Sequence, residues 1–162
     1  MSKSVKADKI GFSSNHREIS ILACDIGFKI IFSAMASPCE ILVNSDDYNL
    51  ANNIAAKASV EAWRIEDKYS RYLNNNVCTK INQSNNLPIK IDNETYRLLS
   101  FAQQCHLISD GLFDISSGIL RKVWHFNGSS NIPNTDQIQP LLPFIGLDKM
   151  VLTPSSVCLP AG

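Results

Sequence analysis

Apolar residues gather in two short β-rich runs near the start of the chain, residues 19–24 and 28–32, with Gly27 between them. A third run, residues 39–43, follows Pro38. Runs of this length and composition, broken by glycine and proline, predict antiparallel strands. Asn44-Ser45-Asp46-Asp47 then reads as a turn and a helix start. From there the period changes. Ala51, Ile54, Ala55, Ala58, Ala62, Ile65, Tyr69 and Tyr72 recur at spacings of three and four, which predicts a helix over residues 48–72, about 37 Å long at 1.5 Å per residue. Lys57, Glu61, Arg64, Asp67, Lys68 and Arg71 fill the opposite face, a solvated charged surface that needs no further role.

Asn74-Asn75-Asn76 ends that helix, and Asn76 is placed to cap a short turn running to Ile81. A polar loop over residues 83–86 leads to a brief strand at 89–91. Asp92 or Asn93 caps a second helix whose apolar positions are Leu98, Leu99, Ala102, Cys105 and Ile108, and which ends near Gly111, a natural left-handed residue. A third short helix is expected near residues 118–124, then a Gly/Ser/Asn/Pro loop over 127–134. Thr135-Asp136 opens a fourth helix that Pro140 and Pro143 interrupt, because each lacks a donor and crowds the preceding turn. Residues 149–152 and 156–159 form a hairpin around Pro154-Ser155. Strands and helices mix without strict alternation, so the fold class is α+β, a mixed or antiparallel sheet with packed helices. The domain reading is a mobile N-terminal arm over residues 1–18 and one domain over 19–162.

At 162 residues the chain is long enough for a real hydrophobic core. Lys plus Arg and Asp plus Glu balance at 15 each, so no net charge draws the chain to nucleic acid or an anionic membrane. The five cysteines form no CxxC pair and are odd in number, which argues against a disulfide framework or a zinc site and for buried thiols in a reducing compartment. No apolar run reaches the roughly 18 residues of a membrane span. Ile21-Leu22-Ala23-Cys24 looks like a lipoprotein box, yet His16-Arg17-Glu18 stands where its apolar stretch belongs. A cytoplasmic location is therefore expected.

The phosphate-cradling glycine loops and the metalloprotease and hydrolase signatures are absent. His106 and His125 read as satisfied boundary residues. Three clusters remain. In the first, Ala34-Met35-Ala36-Ser37-Pro38-Cys39-Glu40, small neighbours let the Met35 thioether lie against a flat ring; the alternative is a strand-connecting turn with Met35 in the core. In the second, Tyr69-Ser70-Arg71-Tyr72, a tyrosine offers a ring face and a hydroxyl while Arg71 suits a phosphate; the alternative is a packed helix end. In the third, residues 109–118 (Ser-Asp-Gly-Leu-Phe-Asp-Ile-Ser-Ser-Gly), a turn can expose backbone groups to a ligand, and Asp114 serves equally well as a helix cap.

Taken in order, these clusters resemble the ApbE family of flavin transferases. The series runs Ala34-Met35-x-x-Pro38-Cys39-Glu40-Ile41, Ser70-Arg71-Tyr72, Ile81-Asn82, Ser109-Asp110-Gly111-Leu112-Phe113-Asp114-Ile115, Gly118-x-Leu120, Trp124-x-Phe126, Pro133, Ile145-Gly146 and Leu159-Pro160-x-Gly162. The resemblance covers residues 28–162. It implies an ApbE-like fold and an FAD:protein FMN transferase, which moves FMN from FAD to a threonine of a flavin-acceptor protein with Mg²⁺ and releases AMP. Mapped motif by motif, it places Met35 and Tyr72 at flavin-nucleotide-binding positions and Leu112, Phe113 and Asp114 on a three-residue FAD-binding segment.

This sequence departs from the family at several points. Ala36-Ser37 replaces the usual Gly-Thr, and Ala36 takes positive φ less freely than glycine. Ile119 stands where proline is common. Many members carry an export or lipoprotein start. The family's later acidic and threonine residues follow the Leu-Pro-x-Gly motif, so on this resemblance the chain corresponds to the N-terminal half of the fold. Its C-terminal part is missing, and the Mg²⁺ ligands are expected mainly beyond residue 162, so this chain alone is expected to be inactive or incomplete as a transferase; the alternatives are a non-catalytic flavin- or partner-binding module and a nonfunctional fragment.

Overall fold

The computed structural model describes residues 8–11 (backbone alone), 17–125, 128 and 132–160. The chain divides into two compact units, Met1–Cys78 and Thr79–Gly162, each described by itself.

In the first unit, β1 (Asp8–Gly11), β2 (Glu18–Cys24), β3 (Gly27–Ala34) and β4 (Ser37–Val43) form one antiparallel sheet in that order. Part of the segment expected to be an arm is thus strand: residues 8–11 pair with residues 18–21. Ladder bonds use backbone groups whatever the side chains, so a polar stretch can extend a sheet edge. The rest of that arm, residues 1–7 and 12–16, lies outside the described residues. Pro38, expected to precede the third strand, sits inside β4 opposite Ser33, which the sheet tolerates because β4 is an edge strand.

Helix α1 (Tyr48–Tyr69) covers one face of this sheet. Asp47 caps it, its carboxylate accepting from the Asn49 and Leu50 N–H groups. The buried line of the helix is Ala51, Ala55, Ser59 and Trp63, four apart along one face. Three small residues let the helix lie close to Ile19, Ile21, Ile30, Phe32, Ala34 and Val43, and Trp63 fills the far end of that core. The Trp63 and Phe32 rings meet edge to face, 6.0 Å apart. Neither Ser59 nor Trp63 belonged to the expected face, which the aliphatic spacing placed one step aside. The helix also stops sooner than expected: Ser70 turns extended at ψ 125°, leaving Tyr72 outside it.

In the second unit a three-stranded antiparallel sheet has the order β5 (Ile89–Lys90), β7 (Ser156–Cys158), β6 (Val151–Thr153). Helix α2 (Val77–Asn82) runs across the division between the units. Helix α3 (Asn93–Ile108) is capped by Asp92, which accepts from the Thr95 N–H at 2.9 Å and its hydroxyl at 2.7 Å. Ala102 of α3 is buried, as are Ile91, Leu147, Met150 and Val157. Leu98 and Ile108, read as apolar helix positions, are exposed instead, Ile108 by 85%; the buried residues of the helix are Thr95 and Ala102. The expected third helix is a 3-10 segment, Ile115–Lys122. Helix α4 (Thr135–Ile138) starts with a capping box between Asn134 and Gln137 and gives way at Gln139–Phe144 to a 3-10 segment, where Pro140 and Pro143 prevent α-helical bonding. The β6–β7 hairpin falls where expected. Two antiparallel sheets with packed helices make the α+β class the observed one.

One position in the first unit admits no side chain. Gly27 has φ +126°, and a Cβ there would come 2.4 Å from the Val43 carbonyl oxygen and 2.5 Å from that of Ser45. These are backbone atoms and cannot rotate away. Gly27→Ala is expected to destabilise the chain by about 3 kcal/mol or more, read as a lowered urea midpoint; an unchanged midpoint would contradict this reading of the turn.

Candidate functional site

The β3–β4 register pairs Ala34 with Ser37, so Met35 and Ala36 alone make the turn. Their φ values are +54° and +56°, the positive pair that tight hairpin turns need and that non-glycine residues resist. The turn therefore connects strands, as one reading of the sequence held, but Met35 is not in the core: it is 58% exposed at the tip. Its N–H donates to Glu66 Oε1 on α1 at 2.8 Å. One turn earlier, the Trp63 indole N–H donates to the Ser33 carbonyl at 2.8 Å. Arg17 closes the group. It bonds the Asp67 carboxylate at 2.5 and 3.0 Å, lies 3.5 Å from Glu66 and stacks 5.4 Å from the Trp63 ring centre. The hydrogen bond from Arg17 holds the Asp67 carboxyl below its ordinary range, against the opposing effect of burial.

Tyr72 follows α1 in a turn and is 68% exposed. Its N–H donates to the Ser70 hydroxyl at 3.2 Å, and Asn76 Nδ2 ties down the Ser70 carbonyl at 2.6 Å. The Arg71 guanidinium sits 5.8 Å from the Tyr72 ring centre. The tyrosine is thus at a helix end without being packed away.

In the second unit, α3 ends in a left-handed pair, Asp110 at φ +51° and Gly111 at +82°, with the Gly111 N–H returning to the His106 carbonyl at 2.9 Å. The next residues are pinned through their backbone. The Phe113 N–H donates to Ser109 Oγ at 2.9 Å, and the Phe113 carbonyl accepts from His106 Nδ1 at 2.9 Å. With the backbone held inward, Leu112 is 92% and Phe113 46% exposed.

Asp114 proves to be a cap and a brace at once. One carboxylate oxygen accepts from the Ser116 N–H at 2.8 Å and its hydroxyl at 2.6 Å; the other accepts from the Leu147 N–H at 3.1 Å. The Ser116 oxygen in turn accepts from the Gly146 N–H at 2.8 Å. Burial pushes the Asp114 carboxyl up, but the Ser116 hydroxyl and amide, the Leu147 amide and the nearby His106 outweigh it and leave it below the ordinary range. The Ile145-Gly146 motif and the Asp-Gly-Leu-Phe-Asp motif are therefore one bonded unit.

Of the residues singled out from the sequence, Met35 and Tyr72 belong to the first unit and residues 112–114 to the second. Their supports went unread. Trp63 lies four residues after Ser59 and Glu66 three after Trp63, so both continue the line of that helix face, and a carboxylate ending such a line was the available signal. His106, Ser109 and Ser116 lie within the quoted motifs or beside them, but their bonds join backbone groups that carry no sequence signature. Among the described residues, no three His, Cys, Asp or Glu side chains converge as metal ligands. No described helix is long and apolar enough to cross a membrane.

The comparisons with known proteins follow the same lines. The ApbE family model matches residues 35–161, most of the chain and all five candidate positions. The chain belongs to the ApbE family. Its fold is similar to that of the ApbE protein from Thermotoga maritima, with a TM-score of 0.71, 26% identity, and coverage of 82% of this chain and 44% of that one. It is also similar in fold to the apo form of the flavinyl transferase ApbE of Pseudomonas stutzeri, with a TM-score of 0.61, 13% identity, and coverage of 98% and 47%. The chain thus spans less than half the length of either. No curated protein matches its sequence.

Since the Asp114 carboxyl is depressed in the folded chain, its contribution is fully present above the unfolded value of about 3.9 and is lost as pH falls through the folded value. Asp114→Asn should cost about 2 kcal/mol at pH 7. In urea titrations the gap from the parent chain should narrow below about pH 4. A gap independent of pH would contradict the bracing role of the charge.

Proposed function

We propose that this chain forms the flavin-nucleotide-binding portion of an FAD:protein FMN transferase. In that reaction a threonine oxygen of the acceptor protein attacks the FMN-side phosphorus of FAD, the pyrophosphate bridge breaks, AMP leaves with the bridging oxygen, and the hydroxyl proton passes to a base. The observation that carries the reading is the family match across residues 35–161, which includes every candidate position. The geometry supports it residue by residue. Met35 presents a polarisable thioether at an exposed tip, suited to the face or edge of a flat ring. Tyr72 offers an exposed ring for stacking. Leu112 and Phe113 offer apolar surface above a backbone whose Phe113 N–H and carbonyl are already bonded. Asp114 contributes by holding that turn in shape rather than by reaching a ligand with its carboxylate.

Such transfer requires a divalent cation to neutralise the pyrophosphate. The described residues bring no three His, Cys, Asp or Glu side chains together for one. A second reading, a module that binds flavin and transfers nothing, is favoured by Asp114: both of its carboxylate oxygens accept bonds from this chain, so it is not placed to act as a base.

Two measurements separate these readings. The first is titration of flavin fluorescence with the 162-residue chain, which should show saturable FAD binding. Met35→Ala and Tyr72→Ala should each weaken it about tenfold, the equivalent of about 1.4 kcal/mol of lost ring contact. The second is chromatography for AMP after incubation with FAD, Mg²⁺ and an acceptor protein. AMP above the buffer rate supports transfer by this chain, whereas saturable binding without AMP supports the binding module. A folded chain that does not bind FAD contradicts both.

A further inference from the structure

The turn that displays Met35 is held in a conformation its own residues disfavour. Met35 and Ala36 both carry positive φ, and neither is glycine. A two-residue turn of this kind has no internal means of keeping one shape, so something outside it must do so. The structure shows what does. The Met35 N–H donates to the Glu66 carboxylate at 2.8 Å. Glu66 is fixed on one side by its place on α1 and on the other by Arg17, 3.5 Å away. Arg17 is fixed by its two bonds to Asp67 and its stacking on Trp63. Trp63 is fixed by burial and by its bond to the Ser33 carbonyl, two residues before Met35. The hairpin tip is thus gripped at residues 33 and 35 by groups one helical turn apart.

We propose that Glu66 is a positioning residue for flavin binding: its carboxylate sets the Met35–Ala36 turn so that the Met35 side chain meets the isoalloxazine ring, and Arg17 holds the carboxylate in place. The proposal rests on the reading of Met35 as a flavin contact and adds to it a residue that touches no ligand. Glu66 acts by removing alternative shapes of the tip before FAD arrives, which lowers the ordering cost of binding. Its charge matters through Arg17, whereas its oxygen matters through the amide, and the two can be separated by substitution.

The test is a set of FAD titrations on the full chain with Glu66→Ala, Glu66→Gln, Met35→Ala and the Met35→Ala/Glu66→Ala double variant. Alanine is a good helix former at position 66, and thermal unfolding checks that each variant is folded. Glu66→Ala should weaken FAD binding about tenfold. Glu66→Gln retains an acceptor for the Met35 N–H and should recover affinity to within about threefold. In the double variant the loss should match that of Met35→Ala alone, because Glu66 acts through Met35. Arg17→Met offers a second route, with an expected loss of about threefold, since the acceptor remains but is less firmly held. If Glu66→Ala binds FAD as the parent does while Met35→Ala is weakened, the positioning role is overturned and the flavin reading of Met35 stands. If Met35→Ala itself binds as the parent does, that reading falls and the proposal with it. Additive losses in the double variant would also overturn it, because a residue acting by itself would show additivity.

Discussion

The indole of Trp63 joins α1 to the end of β3 by two contacts and to Arg17 by a third. Its ring packs edge-on against Phe32, its N–H closes on the Ser33 carbonyl, and its face carries Arg17. Burying an aromatic side chain of this size contributes about 3 kcal/mol, comparable with the cost of about 1–2 kcal/mol for each left-handed residue in the following turn. The strained turn at Met35 and Ala36 therefore sits directly beyond the best-anchored point of the hairpin. Were the anchor weaker, the turn could relax and the exposed methionine would lose its fixed direction. The small residues Ala51, Ala55 and Ser59 serve the same end, because they bring the helix close enough for Trp63 and Glu66 to reach the hairpin.

The second unit solves a similar problem with hydrogen bonds. Its exposed apolar residues, Leu112 and Phe113, follow a left-handed helix end and would have no fixed direction alone. Ser109 and His106 bind the backbone of Phe113, and Asp114 with Ser116 binds the backbone at 146 and 147. In both units polar groups are directed inward to hold the chain, and apolar or aromatic side chains are left outward. That arrangement leaves Met35, Tyr72, Leu112 and Phe113 exposed while the Asp114 carboxylate is turned to the chain's own N–H groups.

Much of the framework was readable from the sequence because it rests on period and punctuation. The strands around Gly27, the Asp47 cap, the Gly111 helix end and the hairpin at Pro154-Ser155 each follow from local rules. The failures have a common cause. Ser59 and Trp63 were missed because a polar and a large aromatic residue do not complete an aliphatic repeat, though packing accepts both. Leu98 and Ile108 were read with the apolar positions of α3 although the helix turns them outward. The extra strand at residues 8–11 arises from backbone pairing, which is blind to side-chain polarity. At the site, family resemblance singles out Met35, Tyr72 and residues 112–114 as candidates, but not the groups that hold them. Glu66 to the Met35 amide and Asp114 to the Leu147 amide are long-range bonds to backbone, and backbone donors are the same at every non-proline position.

The account turns on whether the displayed side chains are the ones that meet flavin nucleotide. Chemical-shift mapping of the isotope-labelled chain during titration with FAD tests this most directly. The account predicts saturable shifts centred on Met35 and Tyr72 in the first unit and on Leu112, Phe113 and Asp114 in the second. Saturable shifts centred elsewhere, with these residues unmoved, would contradict it.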